Sequence, residues 1–244
     1  MMQHTVTAFD DDLADLSQKI AMMGGLAERS LGDAISALSR NDSALAERVI
    51  SGDREIDRLE RELEENAILT LARRQPVARD LREVMAAIKI SADLERIGDL
   101  AKNIAKRALV IDTRSLAKSV IYGLEHMSET TLKQLHDVLD SYGNHNTELA
   151  LKVWERDAEI DAMYTSIFRE LLTYMFEDPR SITSSTHLLF AAKNIERIGD
   201  HATNIAETIH FLVTGESLND ERPKGDTTPS LGIQAVANRS DDNT

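Results

Sequence analysis

Glu95-Arg96-Ile97-Gly98-Asp99 occurs twice in this 244-residue chain, returning as Glu196-Arg197-Ile198-Gly199-Asp200, and each copy runs on into an Asn-Ile-Ala that begins at Asn103 or Asn204. Nine of the eleven positions from 95 to 105 recur, which marks a duplicated unit. The likeness extends upstream, where Asp53-Arg54-Glu55-Ile56-Asp57 comes back as Asp157-Ala158-Glu159-Ile160-Asp161. This upstream pair is offset by three residues more than the motif pair, which predicts a shorter turn in the second half. Asn41-Asp42-Ser43 and Asn144-His145-Asn146-Thr147 supply the residue types that start helices, each after a run of helical pattern. Each half therefore reads as three helices.

Composition agrees with that reading. Aromatic residues make up 4% of the chain and Gly and Pro are sparse, while 42% of residues are hydrophobic. Ala, Leu, Ile, Glu, Arg and Asp dominate, the usage of long helices rather than strands. The expected class is all-α, as two duplicated antiparallel three-helix bundles followed by a disordered C-terminal tail. With no cysteine, any metal must take oxygen or imidazole ligands. A net charge of -14 opposes attraction to nucleic acid or to an anionic membrane surface. The start of the chain runs into Asp10-Asp11-Asp12 rather than a basic and then apolar stretch, so neither a signal peptide nor a membrane span is expected, and the location is expected to be cytoplasmic.

Helix 1 is expected from Phe9 to Arg40 on Leu13, Leu16, Ile20, Met23, Ala27, Ala34 and Leu38, and helix 2 from Ser43 to Arg73 on Ile56, Leu59, Leu63, Ala67 and Leu71. Helix 3 is expected to carry Pro76 in its first turn and to end at Ala108. Helices 4 (Arg114 to Tyr142), 5 (Thr147 to Glu177) and 6 (Pro179 to Val213) repeat the plan. Short connections make each set run up, down and up, giving a first bundle over 9–110, a second over 113–214 and an acidic tail over 216–244.

At about 100° per residue, Glu95, Asp99 and Asn103 share one line of helix 3, opposed to Ile90, Leu94, Ile97, Ala101 and Ile104. Glu196, Asp200 and Asn204 repeat that line on helix 6, opposed to Ile195, Ile198, Ala202 and Ile205. The acids are thus expected to point away from the core. Asp53, Asp57, Glu60 and Glu64 form a second line on helix 2, and Asp157 and Asp161 begin its counterpart on helix 5. Carboxylates one turn apart repel, so a row of them favours a bound cation, and oxygen donors suit Mg²⁺, Mn²⁺, Ca²⁺ or ferric iron. A lone Glu-x-x-x-Asp more often marks a solvated face, here with Arg96, Lys102, Arg107 and Arg197 for local pairing. Retention of acid, Gly and Asn in both copies weighs against that, although close helix packing also explains Gly98 and Gly199.

These residues resemble the PhoU family of phosphate transport regulatory proteins, whose signature is a twice-repeated Glu-or-Asp-x-x-x-Asp. The resemblance covers roughly residues 9–214. It implies two similar three-helix bundles carrying metal clusters of iron, manganese, magnesium or zinc. The matching ligands are Glu95, Asp99, Glu196 and Asp200, with Asn103, Asn204, Asp53, Asp57, Asp157 and Asp161 beside them. It also implies a homodimeric, cytoplasmic adaptor between the ATP-binding subunit of a phosphate transporter and a phosphate-sensing histidine kinase. Such an adaptor restrains the phosphate-starvation response, and its contact with the membrane is indirect, through its partners. Tyr164 and Phe168 stand where Glu60 and Glu64 stand in the first half, so the two sites are expected to differ.

Two other readings compete. Glu207-Thr208-Ile209-His210 matches the Glu-x-x-His of di-iron bundle enzymes, but that site needs two such motifs and the chain carries this one alone. His187 and His201 likewise lack a counterpart in the first half. No nucleophile with an adjacent base and no phosphate-binding Gly loop is visible, so catalysis is not expected. The remaining alternative is a structural helical protein whose acidic faces keep it soluble or whose apolar seams drive oligomerisation.

Overall fold

In a computed structural model of the chain, residues 2–111 and 118–218 are described, and they form helices joined by short connections. The helices are α1 (Met2–Arg40), α2 (Ser43–Arg74), α3 (Arg79–Ala108), α4 (Lys118–Asn144), α5 (Thr147–Glu155), α6 (Asp157–Glu177) and α7 (Ile182–Thr214). The first three form one antiparallel bundle. The remaining four form the second, α5 and α6 being two segments of its middle rod.

The starts of α2 and α5 follow from their side chains. Asp42 accepts the Leu45 amide at 2.9 Å, and Asn146 accepts that of Leu149 at 3.1 Å, so each caps the free donors of a first turn. Asn41 and His145, with φ of 53° and 51°, turn the chain into those caps. The apolar stripes go where their spacing directs them: Leu16, Ile20, Met23, Ile56, Leu63, Ile90, Leu94, Ile97 and Ile104 are fully buried, as are Ile195, Ile198, Ala202 and Ile205.

Four local expectations are corrected. Pro76 lies outside α3, because Gln75 closes α2 in the left-handed region at φ 49° and Ala78, at φ 51°, precedes Arg79. Pro179 behaves as expected, in a 3₁₀ turn (Pro179–Ser181) that leads into α7. The two connections occupy 75–78 and 178–181, so the turn is not shorter in the second half, and the missing residues come out of the helices. The fifth rod is broken at Arg156, whose amide bonds to the Val153 carbonyl three residues back, at 3.2 Å, so the ladder tightens and restarts at Asp157. Of residues 216–218, expected to open the tail, Glu216 and Ser217 are exposed while Leu218 returns to the bundle. Gly215 takes φ 79°, His210 Nδ1 meets the Glu216 carbonyl at 3.0 Å and Leu218 packs on the core. The rest of that tail, from residue 219, lies outside the described residues, as do the positions before Lys118 at which helix 4 is expected to start.

The bundles pack through α1 on α4 and α3 on α7. Arg82 donates to the Leu212 carbonyl at 3.2 Å, Asp93 meets His201 at 2.8 Å and Arg107 meets His187 at 3.2 Å, so α3 and α7 run antiparallel. By that register, the two Glu-Arg-Ile-Gly-Asp copies lie side by side near the middle of the crossing. Glu28 and His136, 3.1 Å apart, sit on a similar antiparallel pairing of α1 with α4, and at Gly24 a Cβ would stand 2.7 Å from Leu139.

Candidate cation-binding grooves

Each Gly of the repeat meets the Ile of the repeated upstream segment. A Cβ on Gly98 would stand 2.8 Å from Ile56 Cδ1, and one on Gly199 would stand 2.9 Å from Ile160 Cδ1. The glycines thus let α3 lie close on α2 and α7 close on α6. That packing draws the acids flanking Ile56 and Ile160 toward the acids flanking the glycines, and a polar groove results in each half.

In the first groove Asp53 is buried at 4% exposure, while Asp57, Glu60, Glu95 and Asp99 are half-buried. Lys102 donates to Asp53 Oδ2 and, at 2.8 Å, to Asp99 Oδ1. These two bonds hold its ammonium well above the ordinary lysine range. Burial pushes the Asp53 carboxyl up, against the pull of Lys102, and it pushes up Glu95, with the Asp99 charge adding to the effect. Glu60 is raised by burial and by its neighbours Glu64 and Asp57. Arg96, largely exposed, reaches Glu95 at 3.5 Å and Asp99 at 4.0 Å. Asp53 Oδ1 is buried without a hydrogen-bond partner.

The second groove is deeper. Asp157, Asp161 and Glu196 are 3%, 5% and 6% exposed, and Asp200 is half-buried. The Thr203 hydroxyl lies 3.0 Å from Asp157 Oδ1 and 3.1 Å from the Gly199 carbonyl. Lys193 donates to Glu196 Oε1 at 2.6 Å and rests 4.8 Å above the Tyr164 ring, which packs beside Phe168. Burial raises the Glu196 carboxyl to about 6, with Asp200 and Asp161 adding to the rise and Lys193 opposing it. Its Oε2 is buried and unpartnered.

The acids of α2 and α3, and those of α6 and α7, therefore line a shared groove in each half, and apart from the exposed Glu64 they are buried or half-buried rather than open to solvent. A helix with neighbours on several sides keeps only a narrow free edge, and the flank of each acidic line on α3 or α7 faces the next helix. The two asparagines leave the acids. Asn103 is exposed, and Asn204 turns toward Asp93 of the first bundle at 3.5 Å. Arg107 also goes elsewhere, across the bundle interface to His187 and over the Phe190 ring at 4.5 Å.

Lys102 pairs with its neighbour Asp99 as expected of a local partner, but its reach to Asp53 on α2, and the parts played by Lys193 and Thr203, were missed. For Lys102 and Thr203 the signal was that they break the repeat between otherwise matching neighbours. Sequence reasoning also missed Gln134, 1% exposed beside Gly199, whose amide oxygen and nitrogen are both buried without partners.

Among the described residues, no three Asp, Glu or His side chains converge as a set able to hold a metal ion. The donor chemistry differs between the grooves. Asp53 and Asp99 are already turned onto an ammonium and do not fit a metal as they stand. In the second groove Glu196 keeps one buried oxygen without a partner, an oxygen donor of the type hard cations take but not a coordination set by itself. Glu207 and His210 show no di-iron arrangement: Glu207 accepts the Trp154 indole N–H at 3.1 Å, and His210 is held at the Glu216 carbonyl. No helix among the described residues is long and apolar enough to cross a membrane.

Comparison with known proteins places this architecture. A sequence profile of the PhoU domain matches twice, at residues 20–108 and 124–209. The phosphate-specific transport system accessory protein PhoU homolog of Rhizobium meliloti (strain 1021) is 56% identical, over 94% of this chain and 97% of its own length. The accessory protein PhoU of Escherichia coli (strain K12) is 39% identical, over 88% of this chain and 89% of its own. The crystal structure of PhoU from Pseudomonas aeruginosa superposes with a TM-score of 0.82 at 39% identity, over 85% of this chain and all of that one. The phosphate transport system regulatory protein PhoU from Streptococcus pneumoniae superposes with a TM-score of 0.80 at 30% identity, over 87% of this chain. A duplicated three-helix bundle, a motif repeated in register and a match along nearly the full length of these relatives together make this chain a member of the PhoU family.

Proposed function

We propose that this chain is an accessory regulator of a phosphate-specific transport system, acting by binding rather than by catalysis. It joins the ATP-binding subunit of the transporter to a phosphate-sensing histidine kinase, and restrains the phosphate-starvation response when phosphate is ample. The observation that carries this reading is the match, at up to 56% identity and along 97% of the relative's length, to proteins named for that system. Two features support it. The polar groups in the two grooves serve as ion pairs and helix contacts, with no nucleophile placed beside a base. The excess of negative charge favours basic partner surfaces over nucleic acid or lipid.

On the same reading the protein works as a homodimer in the cytoplasm, and the acids of the second groove take a metal ion when Asp157, Asp161, Glu196 and Asp200 draw together. Crosslinking in phosphate-replete cells followed by purification of the chain tests the adaptor role. Transporter subunit and kinase are expected to co-purify, and deletion is expected to switch on phosphate-starvation genes despite ample phosphate. Absence of both partners together with unchanged gene expression would overturn it.

A further inference from the structure

The net charge of -14 is not spread evenly over the molecule. Past the first turn of α3, where Arg79 and Asp80 balance, the exposed charged side chains of α3 and α7 are all basic: Lys89, Arg96, Lys106 and Arg197. The acids of these helices beyond that turn are buried or half-buried and are spent within the fold, as with Glu83 on His145, Asp93 on His201 and Glu207 on Trp154. Exposed apolar side chains accompany the bases, with Leu81, Met85 and Phe211 at one end of the crossing and Ile182 and Phe190 at the other. At about 100° per residue, Leu81, Met85, Lys89, Arg96 and Lys106 fall within about 100° of arc on α3, and Ile182, Phe190, Arg197 and Phe211 within about 80° on α7. The crossing thus presents one face that is basic and apolar on an acidic protein.

At each end of the crossing a cation lies over an aromatic ring of the other helix. Lys89 Nζ is 6.0 Å from the Phe211 centroid, and the Arg107 guanidinium is 4.5 Å from that of Phe190. Arg107 meets His187 at 3.2 Å, has no carboxylate partner among the described residues and keeps its Nε buried and unpaired. Burial pulls this guanidinium below the ordinary arginine range, and an incoming carboxylate would oppose that shift.

We propose that this face of the α3–α7 crossing is a docking surface for an acidic amphipathic helix of a partner protein. The inference rests on the reading that the chain acts by binding a protein, and it adds where that partner lies and what chemistry it brings. Two antiparallel helices leave a shallow groove between them that a third helix can occupy. The apolar side of the docked helix covers Met85, Phe211 and Phe190, and its carboxylates meet Lys89, Arg96, Arg107 and Arg197. Helical phase puts Asp99 and Asp200 on the outer flanks of the crossing. A flat anionic membrane laid on this face meets those carboxylates as well as the bases, whereas a helix is narrow enough to lie between them.

The experiment introduces photo-crosslinking benzoylphenylalanine at Phe190 or at the exposed Ala92 of the full chain in cells, with the exposed Gly52 on α2 as the control position. Mass spectrometry identifies the residues joined to it. Both ridge positions are expected to crosslink to a segment of another protein in which acids outnumber bases and apolar residues recur at three-and-four spacing, and the control is not. Lys89→Glu combined with Arg197→Glu is expected to lower the yield about tenfold, through reversed charge at the face. Lys89→Gln with Arg197→Gln is carried alongside, and helical circular dichroism reports whether each variant folds.

Crosslinks to lipid, to a second copy of this chain or to a basic segment overturn the proposal. So does a yield that folded charge variants leave unchanged, or the absence of any crosslink from both ridge positions. Co-purification of transporter subunit and kinase without contact at the ridge overturns this surface and leaves the adaptor reading standing. An acidic helix captured from a protein that is neither of the two supports the surface and counts against the adaptor reading.

Discussion

At Glu196 one side chain carries opposing demands. Its carboxylate is 6% exposed against α6, and burial lifts it from 4.5 to about 6 although Lys193 donates to it at 2.6 Å. The folded state therefore holds a proton more tightly than the unfolded chain. The stabilising contribution is complete below pH 4.5 and is lost as pH rises through about 6. Glu196→Gln removes the charge that burial disfavours. With a chelator present to exclude metal, the variant is expected to be more stable than the parent by about 1–2 kcal/mol at pH 8, because each tenfold gain in proton affinity on folding corresponds to about 1.4 kcal/mol. That gap should close as the pH falls to 4.5. Urea denaturation at the two pH values checks this, and a variant less stable than the parent at pH 8 would show that the Lys193 bond outweighs burial.

The acids themselves were legible as candidates because they repeat. Their burial was not. Helical phase describes a residue relative to its own helix, whereas exposure depends on how many neighbours that helix has. The bond from Lys102 to Asp53 was illegible for a related reason, since it joins residues of two helices that periodicity cannot pair.

At the scale of elements, the repeated glycines set how closely paired helices approach. Gly52, in the exposed face of α2, has nothing within 4 Å of a would-be Cβ, so Gly52→Ala is expected to stabilise by about 0.5–1 kcal/mol through helix propensity alone. Gly98→Ala gains the same propensity but drives a methyl to 2.8 Å from Ile56 Cδ1. Overpacking of about 1–3 kcal/mol is expected to win, for a net loss of about 1–2 kcal/mol. Ile56→Val removes the clashing carbon at a cost of about 0.5–1.5 kcal/mol by itself. The double variant should then be more stable than the sum of the two singles by about 1 kcal/mol, measured as a double-mutant cycle in chemical denaturation. Strict additivity would mean that the two side chains do not meet.

Helix positions followed from caps and apolar spacing, as Asp42 and Asn146 show. The break at Arg156 had no such mark, because no Gly or Pro stands there and the ladder is interrupted by a single tightened turn. Pro76 was misplaced for a converse reason. A proline tolerated in a first turn is equally tolerated just before one, and the choice lay with Gln75, which caps α2 instead.

In the whole molecule the two bundles share one core, and Asp93 is one of the polar ties between them, meeting His201 at 2.8 Å and Asn204 at 3.5 Å with 17% of its own side chain exposed. Asp93→Ala leaves both partners without their acceptor and is expected to cost about 1–3 kcal/mol. Because the α3–α7 contact belongs to both bundles, hydrogen exchange should rise in α3 and in α7 alike. A rise confined to α3 would show that the halves are stable independently.

By itself the sequence determined the class, the helices, the duplication and which acids repeat, because caps, apolar period and repetition are local properties of a chain. It also determined the family, since the repeated motif and its upstream partner are strings of residues. Only the tertiary structure decided that the acids lie in grooves between helices, that the halves meet antiparallel with the motifs side by side, and that a lysine fills the first groove while a threonine lines the second. Those outcomes depend on which helix faces which, and that choice is made by packing across the whole core.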